Sequence, residues 1–462
     1  MPQKYSDIAI IGGGFAGTVT AIKLLRALAT EPQRLPLTLT LIESRAEIGR
    51  GIAYSTDNPD HIVNGTAQLF GLYPEQPNHL PDWLAANAAR HGWQPPAGVA
   101  EAGYVDAFPP RSLYGAYLQD ELRQALKAAG PQVRWQPVQG RVIDLLPQES
   151  GYELILEDGR RLEAARTVLA LGLFRASGAG FFATPQERQV LGDRYIDDVW
   201  SAAAWQPGAN DQDILLVGAS LTALDAAFNA DRAGFRGRFH LLSRRGLLVQ
   251  PRRGLTPWPD LLDAEKLPSS LRDLLRITRQ ARRAVRASDR RRFLRHLRPF
   301  WEISLHRAGP ESARKLAQYQ DQGRFRQLAG RIHALRKSGD KVEVQWRARG
   351  SDTLETLLVD RVANAAGYEF NWPRIADPLV RALLERRLVR PHATGFGIDA
   401  DPASGALFNA DGHLQETLFA VGHPLRGVSW ESNSIGEQLI GATATGLALA
   451  ATLVSQATAE AA

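Results

Sequence analysis

Cysteine is absent from all 462 residues. That excludes structural disulfides, thiolate-bound metals, a cysteine nucleophile and a dithiol redox relay. Methionine occurs once, as Met1, so no internal methionine-rich surface exists. Long, strongly apolar runs are also lacking. Residues 8–19 are apolar, but Asp7 precedes them and three consecutive glycines interrupt them, unlike a signal-peptide core. Residues 438–454 are longer yet consist mostly of Ala, Gly and Thr, too weakly apolar for a convincing membrane span. They read as a buried packing helix, and the expectation is a soluble, cytoplasmic protein without a membrane partner.

What is present is a globular composition, 44% hydrophobic and 23% charged, in a chain long enough for two or three domains. The net charge of +6 is uneven, with about a dozen arginines between residues 272 and 307. Such a block can bind nucleic acid or anionic lipid, but a solvated helix face explains it more simply, so no nucleic-acid partner is expected. Leu271, Leu274, Leu275, Val285, Phe293, Leu294 and Leu297 recur there at roughly helical intervals.

The clearest chemistry lies near the start. An apolar strand from Ile8 to Ile11 runs into Gly12-x-Gly14-x-x-Gly17, and Val19, Ile22, Leu25 and Leu28 then follow helical spacing. Gly12 permits a tight turn, Gly14 lets backbone approach a pyrophosphate, and Gly17 lets the helix pack on the strand. The helix start, with Phe15 and Ala16, offers free N–H groups to that anion. A second strand, Leu37 to Ile42, ends at Glu43, which can accept hydrogen bonds from a ribose diol, with Ser44 beside it. These parts, in this order, define a dinucleotide site.

A second such unit begins at residue 213. DILLVGASLTALDAAF is again strand, turn and helix, with Gly218-x-Ser220-x-x-Ala223 as its turn and Leu221 and Thr222 at the helix start. Its partner strand, Arg238 to Leu242, is followed by Ser243, Arg244, Arg245 and Gly246. Where an NAD site places an acid, this one places a hydroxyl and two guanidiniums, which suit the 2′-phosphate of NADPH.

Several further segments carry a resemblance. Gly49 and Gly51 closely follow Glu43, in a loop resembling the one that folds over the FAD pyrophosphate in two-dinucleotide-binding flavoproteins. Thr167 to Gly172 and Val362 to Gly367 resemble the strands that mark crossings between their nucleotide domains. Leu418 to Gly422 is similar to the strand that reaches the flavin ribityl chain, although His423 stands where many relatives carry aspartate. Gly49-Arg-Gly-Ile-Ala-Tyr-Ser-Thr56, His61-Ile-Val-Asn64, Phe108-Pro-Pro-Arg-Ser-Leu-Tyr-Gly115, Pro299-Phe-Trp-Glu-Ile-Ser-Leu-His-Arg307 and Leu425-Arg-Gly-Val-Ser-Trp-Glu-Ser432 together resemble the bacterial FAD/NAD(P)-binding family that includes YdhS-like proteins. More remotely, the plan is similar to N-hydroxylating and Baeyer–Villiger flavoprotein monooxygenases.

The resemblance implies an α/β fold of two Rossmann-like domains, glutathione-reductase-like, with the NADPH domain (181–254 and 324–363) inserted into the FAD domain (1–180 and 364–462). An Arg-rich helical insertion would occupy 255–323. It implies FAD and NADPH as cofactors, with Tyr54, Val142, Gly172, Gly422 and His423 joining the FAD site. Asn64, Trp430 and Glu431 are the candidates for residues near the flavin ring. Tyr54 and Tyr114 either line the pocket or pack locally. If a helix starts near Ser434, its N-terminus can face the flavin C2 carbonyl, although Ser432 to Ser434 are also ordinary cap residues. No metal-ligand spacing or nucleophile–base pair stands out.

Electrons would pass from NADPH to FAD and then outside the chain, because an internal disulfide acceptor is impossible. Three readings follow: an oxygenating enzyme acting on a small substrate, a reductase passing hydride to a small acceptor, and a flavin-bound sensor or scaffold. A carrier protein or a homodimer partner stays open.

Overall fold

The structure, a computed structural model, describes residues 5–31, 36–176, 181–206, 208, 210–252, 293–294 and 296–461. Two sheets organise them. In the first unit, strand β1 (Tyr5–Ile11) leads into helix α1 (Phe15–Ala29) and strand β2 (Leu37–Glu43). Helix α2 (Arg111–Ala129) follows, then β3 (Val133–Gln139), β4 (Val142–Gln148), β5 (Gly151–Leu156) and β6 (Arg161–Leu169). Ile8, Ile10, Leu39 and Leu41 are wholly buried, as a parallel sheet covered on both faces requires.

The second unit runs through β7 (Tyr195–Ile196), β8 (Asp213–Val217), α3 (Leu221–Arg232) and β9 (Arg238–Ser243). Helices α4 (Arg298–Leu305) and α5 (Pro310–Asp321) precede β10 (Phe325–Ser338), β11 (Lys341–Ala348), β12 (Leu354–Val359) and β13 (Arg361–Asn364). The chain then returns through β14 (Ala406–Phe408) and β15 (Leu414–Ala420) to the last helix, α6 (Ile435–Ala461).

The first sheet has the order β14-β15-β6-β1-β2-β3, with the β4–β5 hairpin joined to β6. The second has the order β12-β11-β10-β9-β8-β13-β7. Its β10–β9–β8–β13–β7 part is parallel, and β11 and β12 extend it as antiparallel strands. This is the expected α/β arrangement of two parallel-sheet units. Most of the expected helical stretch 255–323 lies outside the described residues; its described part holds α4 and α5.

Two expected strands end sooner than their apolar sequences. β6 stops at Leu169 rather than Gly172, and β13 stops at Asn364 rather than Gly367. Each strand ends one residue before a carbonyl, that of Ala170 or Ala365, that meets a glycine turn. The last helix starts at Ile435, one residue past the expected start, with the Ser434 carbonyl accepting from Gln438 N–H at 3.0 Å.

Helix α6 is long and apolar enough by composition to cross a membrane. Its small residues nevertheless have a packing reason. A Cβ on Gly446 would stand 3.0 Å from Leu24 N, Lys23 Cβ and Thr20 O of α1, so the helices meet almost backbone to backbone. Ile440 and Leu447, on another face, stay exposed.

Replacing Gly446 by Val forces α6 away from α1, and the substitution should lower stability by about 1–3 kcal/mol. A urea unfolding midpoint unchanged from the parent protein would show that this contact is not close-packed.

Candidate functional site

The first glycine turn is held from three sides. Gly12 adopts φ +108°, and its N–H donates to Ile42 O at 2.8 Å. A Cβ there would lie 2.2 Å from Ala170 O, so only glycine lets the turn sit against the end of β6. Gly13 N–H donates to Glu43 Oε2 at 2.8 Å, while Glu43 Oε1 accepts from Arg45 N–H at 3.0 Å. The buried carboxylate expected to meet a ribose therefore also fixes the turn. Gly17 serves packing: a Cβ there would lie 2.0 Å from Gly12 O.

Gly14 precedes α1 with no side-chain cap, so the first helical N–H groups face the cleft without a protein side chain on them. The loop after Glu43 closes over this point. A Cβ on Gly51 would lie 2.9 Å from Gly14 Cα, and Gly49 N–H donates to Gly13 O at 2.7 Å.

Beside the turn lies a cavity of about 360 Å³, within the range of ligand sites. Gly12, Gly14, Phe15 and Ala16 line its floor, and Glu43, Ser44, Gly51 and Tyr54 line one wall. Val142, Gly172 and His423 come from elements distant in sequence to complete it. Gly422 stands just behind, with φ +74° and a would-be Cβ 2.9 Å from Ala16 Cβ. The structure therefore brings together nearly every residue expected at the first site.

Arg45, Arg50, Arg141, Asp377 and Gln438 also line the cavity and were not foreseen. Arg50 stood inside the Gly49–Gly51 loop and Arg141 next to Val142, so adjacency could have found them. Asp377 could not be found so, because it arrives through an ion pair with Arg141 at 2.8 Å.

Tyr54 lines the cavity, but Tyr114 packs: it is fully buried and its hydroxyl donates to Phe70 O at 2.8 Å. Burial pushes both phenols above their usual range. His423 has Nδ1 without a hydrogen-bond partner. Burial, then the charge of Arg426, pulls its imidazole down to about 3, so the ring facing the cavity is neutral.

The second turn repeats the first. Gly218 has φ +130°, donates to Leu242 O at 2.8 Å, and a Cβ there would lie 2.1 Å from Ala365 O. Ser220 takes the place of Gly14 before α3, exposed and without capping its helix, with Leu221 and Thr222 beginning the first turn. Ala223, at the place of Gly17, is wholly buried.

At the end of β9 the acid is replaced. Ser243 Oγ is buried without a partner, Arg244 is exposed, and the Arg245 guanidinium lies 5.2 Å from the Phe300 ring centre. Partial desolvation, then the like charges of Arg298, Arg331 and Arg245, lower the Arg244 pKa. Glu302, which pairs with Arg298 at 2.9 Å, offsets part of this, and the net potential beside Arg244 and Arg245 is positive.

Asn64, Trp430 and Glu431 do not line the cavity. The Asn64 carbonyl accepts from Arg252 Nη1 at 2.7 Å. Glu431 accepts from Trp301 Nε1 at 2.6 Å, and His306 Nε2 lies 3.7 Å from its other oxygen. Trp430 stacks edge-on with Phe396 at 5.2 Å beneath the Arg426 guanidinium, which donates to Glu302 at 2.8 Å. The motifs 299–307 and 425–432 therefore meet each other, apart from the cavity. Among the described residues, no group of three or more His, Asp or Glu could hold a metal ion.

Residues 9–174 match the family model described as FAD-NAD(P)-binding. Over 475 aligned positions the chain is 21% identical to an uncharacterized protein of Mycobacterium tuberculosis strain H37Rv, covering 85% of this chain and 86% of that one. Its fold is similar to that of an ornithine N-hydroxylase of Kutzneria sp. 744, solved with reduced FAD, NADP+ and L-ornithine (TM-score 0.66, 14% identity, 98% of this chain and 99% of that one). It is also similar to L-lysine 6-monooxygenase of Pseudomonas syringae (TM-score 0.62, 18% identity, 97% and 99%). A thioredoxin reductase of T. acidophilum shares the architecture less closely (TM-score 0.52, 10% identity, 98% and 100%). The fold defined is an α/β arrangement of two parallel-sheet units, and residues 9–174, in the first of them, match an FAD-NAD(P)-binding model.

His423 should remain neutral from pH 5 to 9, whereas an ordinary histidine titrates near 6.5. Imidazole NMR resonances compared between the parent and His423→Gln check this. A His423 signal that titrates near pH 6.5 would contradict the buried, neutral ring.

Proposed function

We propose that the chain is an FAD- and NADPH-dependent monooxygenase acting on a small substrate. The observation that carries this reading is the pair of equivalent glycine turns with unlike partner-strand ends, Glu43 at one and Ser243-Arg244-Arg245 at the other. An acid accepts hydrogen bonds from a ribose diol, and arginine forks bind the extra phosphate that distinguishes NADPH from NADH.

In this reading the uncapped start of α1 holds the FAD pyrophosphate, Glu43 and Ser44 hold the adenosine ribose, and Gly51 and Tyr54 cover them. Val142 and Gly172 flank the cofactor, and Gly422 and neutral His423 approach the ribityl chain. Ser220, Leu221 and Thr222 bind the NADPH pyrophosphate. Asn64, Trp430 and Glu431 remain the candidates near the flavin ring. Bound flavin supplies the redox chemistry, accepting hydride from NADPH and delivering its electrons to oxygen. The balanced reaction consumes NADPH, a proton, oxygen and R–H, and yields R–OH, NADP+ and water.

The absence of cysteine excludes the internal dithiol on which disulfide-reducing relatives of this architecture depend. The solved neighbours named for ornithine, lysine and cadaverine make primary amines the first substrates to screen.

Anaerobic titration with NADPH should bleach one flavin per chain, and air with a true substrate should consume oxygen and form hydroxylated product. Reoxidation that yields only hydrogen peroxide with every substrate tried would favour a non-oxygenating reductase. No bleaching at all would leave the scaffold reading. Replacing Arg244 and Arg245 by Ala should raise the KM for NADPH roughly tenfold to a hundredfold, from one or two lost charge-assisted contacts, and leave that for NADH nearly unchanged. An unchanged ratio of the two would sink the 2′-phosphate assignment.

A further inference from the structure

Three motif segments of the first unit converge on one helix of the second. Thr56, Asn58 and His61 follow directly after Tyr54, which lines the first cavity, and Arg111 opens α2. His61 and Arg111 both reach Asp225, one turn into α3, whose N-terminus carries Ser220. Arg111 grips the Asp225 carboxylate with both terminal nitrogens, at 2.7 and 3.1 Å, while its Nε donates to Ile62 O at 3.1 Å. Trp200 Nε1 donates to the same carboxylate at 3.0 Å.

The rest of the joint is equally specified. His61 Nε2 lies 2.9 Å from the Asp225 carbonyl, which can only accept, so that nitrogen carries the proton. Burial lowers the His61 pKa and keeps the ring neutral, so Nδ1 accepts from the Thr56 hydroxyl at 2.7 Å. Asn58 Nδ2 donates to Asn229 Oδ1, one turn further along α3, at 2.8 Å. Burial pushes the Asp225 carboxyl up, but the Arg111 charge and the hydrogen bonds from Trp200 and Arg111 draw it below its ordinary range, so it stays charged. Thr56, Asn58, His61, Asp225 and Asn229 are all buried. A buried, fully satisfied network of directional bonds permits few alternative geometries.

We propose that Arg111 and Asp225 are positioning residues whose clamp fixes the second nucleotide site against the first, so that hydride passes between them without rotation of one unit. This rests on the proposed function above. With both cofactors bound, hydride would leave the nicotinamide carbon with its electron pair and add to the flavin. NADP+ and reduced flavin result. A tight joint between the cavity wall at Tyr54 and the start of α3 sets the distance that this transfer must cross, and small misplacements slow such steps strongly.

The cysteine-free chain allows a direct test. Spin labels on Glu149→Cys and Lys337→Cys, both exposed and one on each unit, report the separation of the units by electron–electron distance measurement. One narrow distance is expected, identical without ligand and with FAD plus NADP+. Arg111→Gln should broaden it and slow anaerobic flavin reduction by saturating NADPH about tenfold or more, with NADP+ affinity changed less than about twofold. Trp200→Phe, which removes one donor and keeps the ring, should slow reduction in the same direction if Arg111→Gln does not fold. A parent distance that shifts on adding NADP+, or an Arg111→Gln protein with unchanged distance and unchanged reduction rate, would overturn the clamp. If no flavin binds, the proposed function fails while the unliganded distance still decides whether the units are locked.

Discussion

The close approach of a backbone carbonyl to a glycine organises both halves of this molecule. At Gly12 the partner is Ala170 O, and at Gly218 it is Ala365 O. Any side chain at either glycine would overlap that carbonyl, and the positive φ would add strain. Each contact draws the end of one strand under the turn that leads into a helix. That leaves the helix N-terminus facing outward, with N–H groups for an anion. β6 and β13 each end one residue before that carbonyl.

The two turns are alike in backbone and different in charge. At the first, the Glu43 carboxylate is already committed to Gly13 and Arg45 N–H groups, with acceptor capacity left over. At the second, no carboxylate ends the strand, and Arg298 and Arg331 add their charge to the Arg244–Arg245 pair. One glycine turn thus has an acceptor beside it and the other has donors. The Arg111–Asp225 joint holds these unlike sites in one frame.

Local features were readable from the sequence. The strand–turn–helix units follow from apolar runs and glycine spacing within about thirty residues, and both appear where expected. Val142, Gly172 and His423 joined the first site only through a resemblance, since nothing local to them signals a cavity. The clamp was not readable: Arg111 and Asp225 are separated by 114 residues, and each looks like an ordinary surface charge in its own helix. Trp430 and Glu431 were expected near the ring because they are aromatic and acidic in a motif; Glu431 meets Trp301 of α4, and Trp430 meets Phe396 and Arg426. The Ala-rich last helix shows the limit of composition, which does not distinguish a membrane span from a helix packed through Gly446.

Equilibrium binding of both dinucleotides tests the central claim most directly. Calorimetric titration of the unliganded chain should give one FAD per chain, and a second titration of the FAD-loaded chain should give one NADP+ without displacing flavin. Competition between FAD and NADP+ for a single site, or binding of neither, would contradict an account built on two equivalent glycine turns with two different nucleotides.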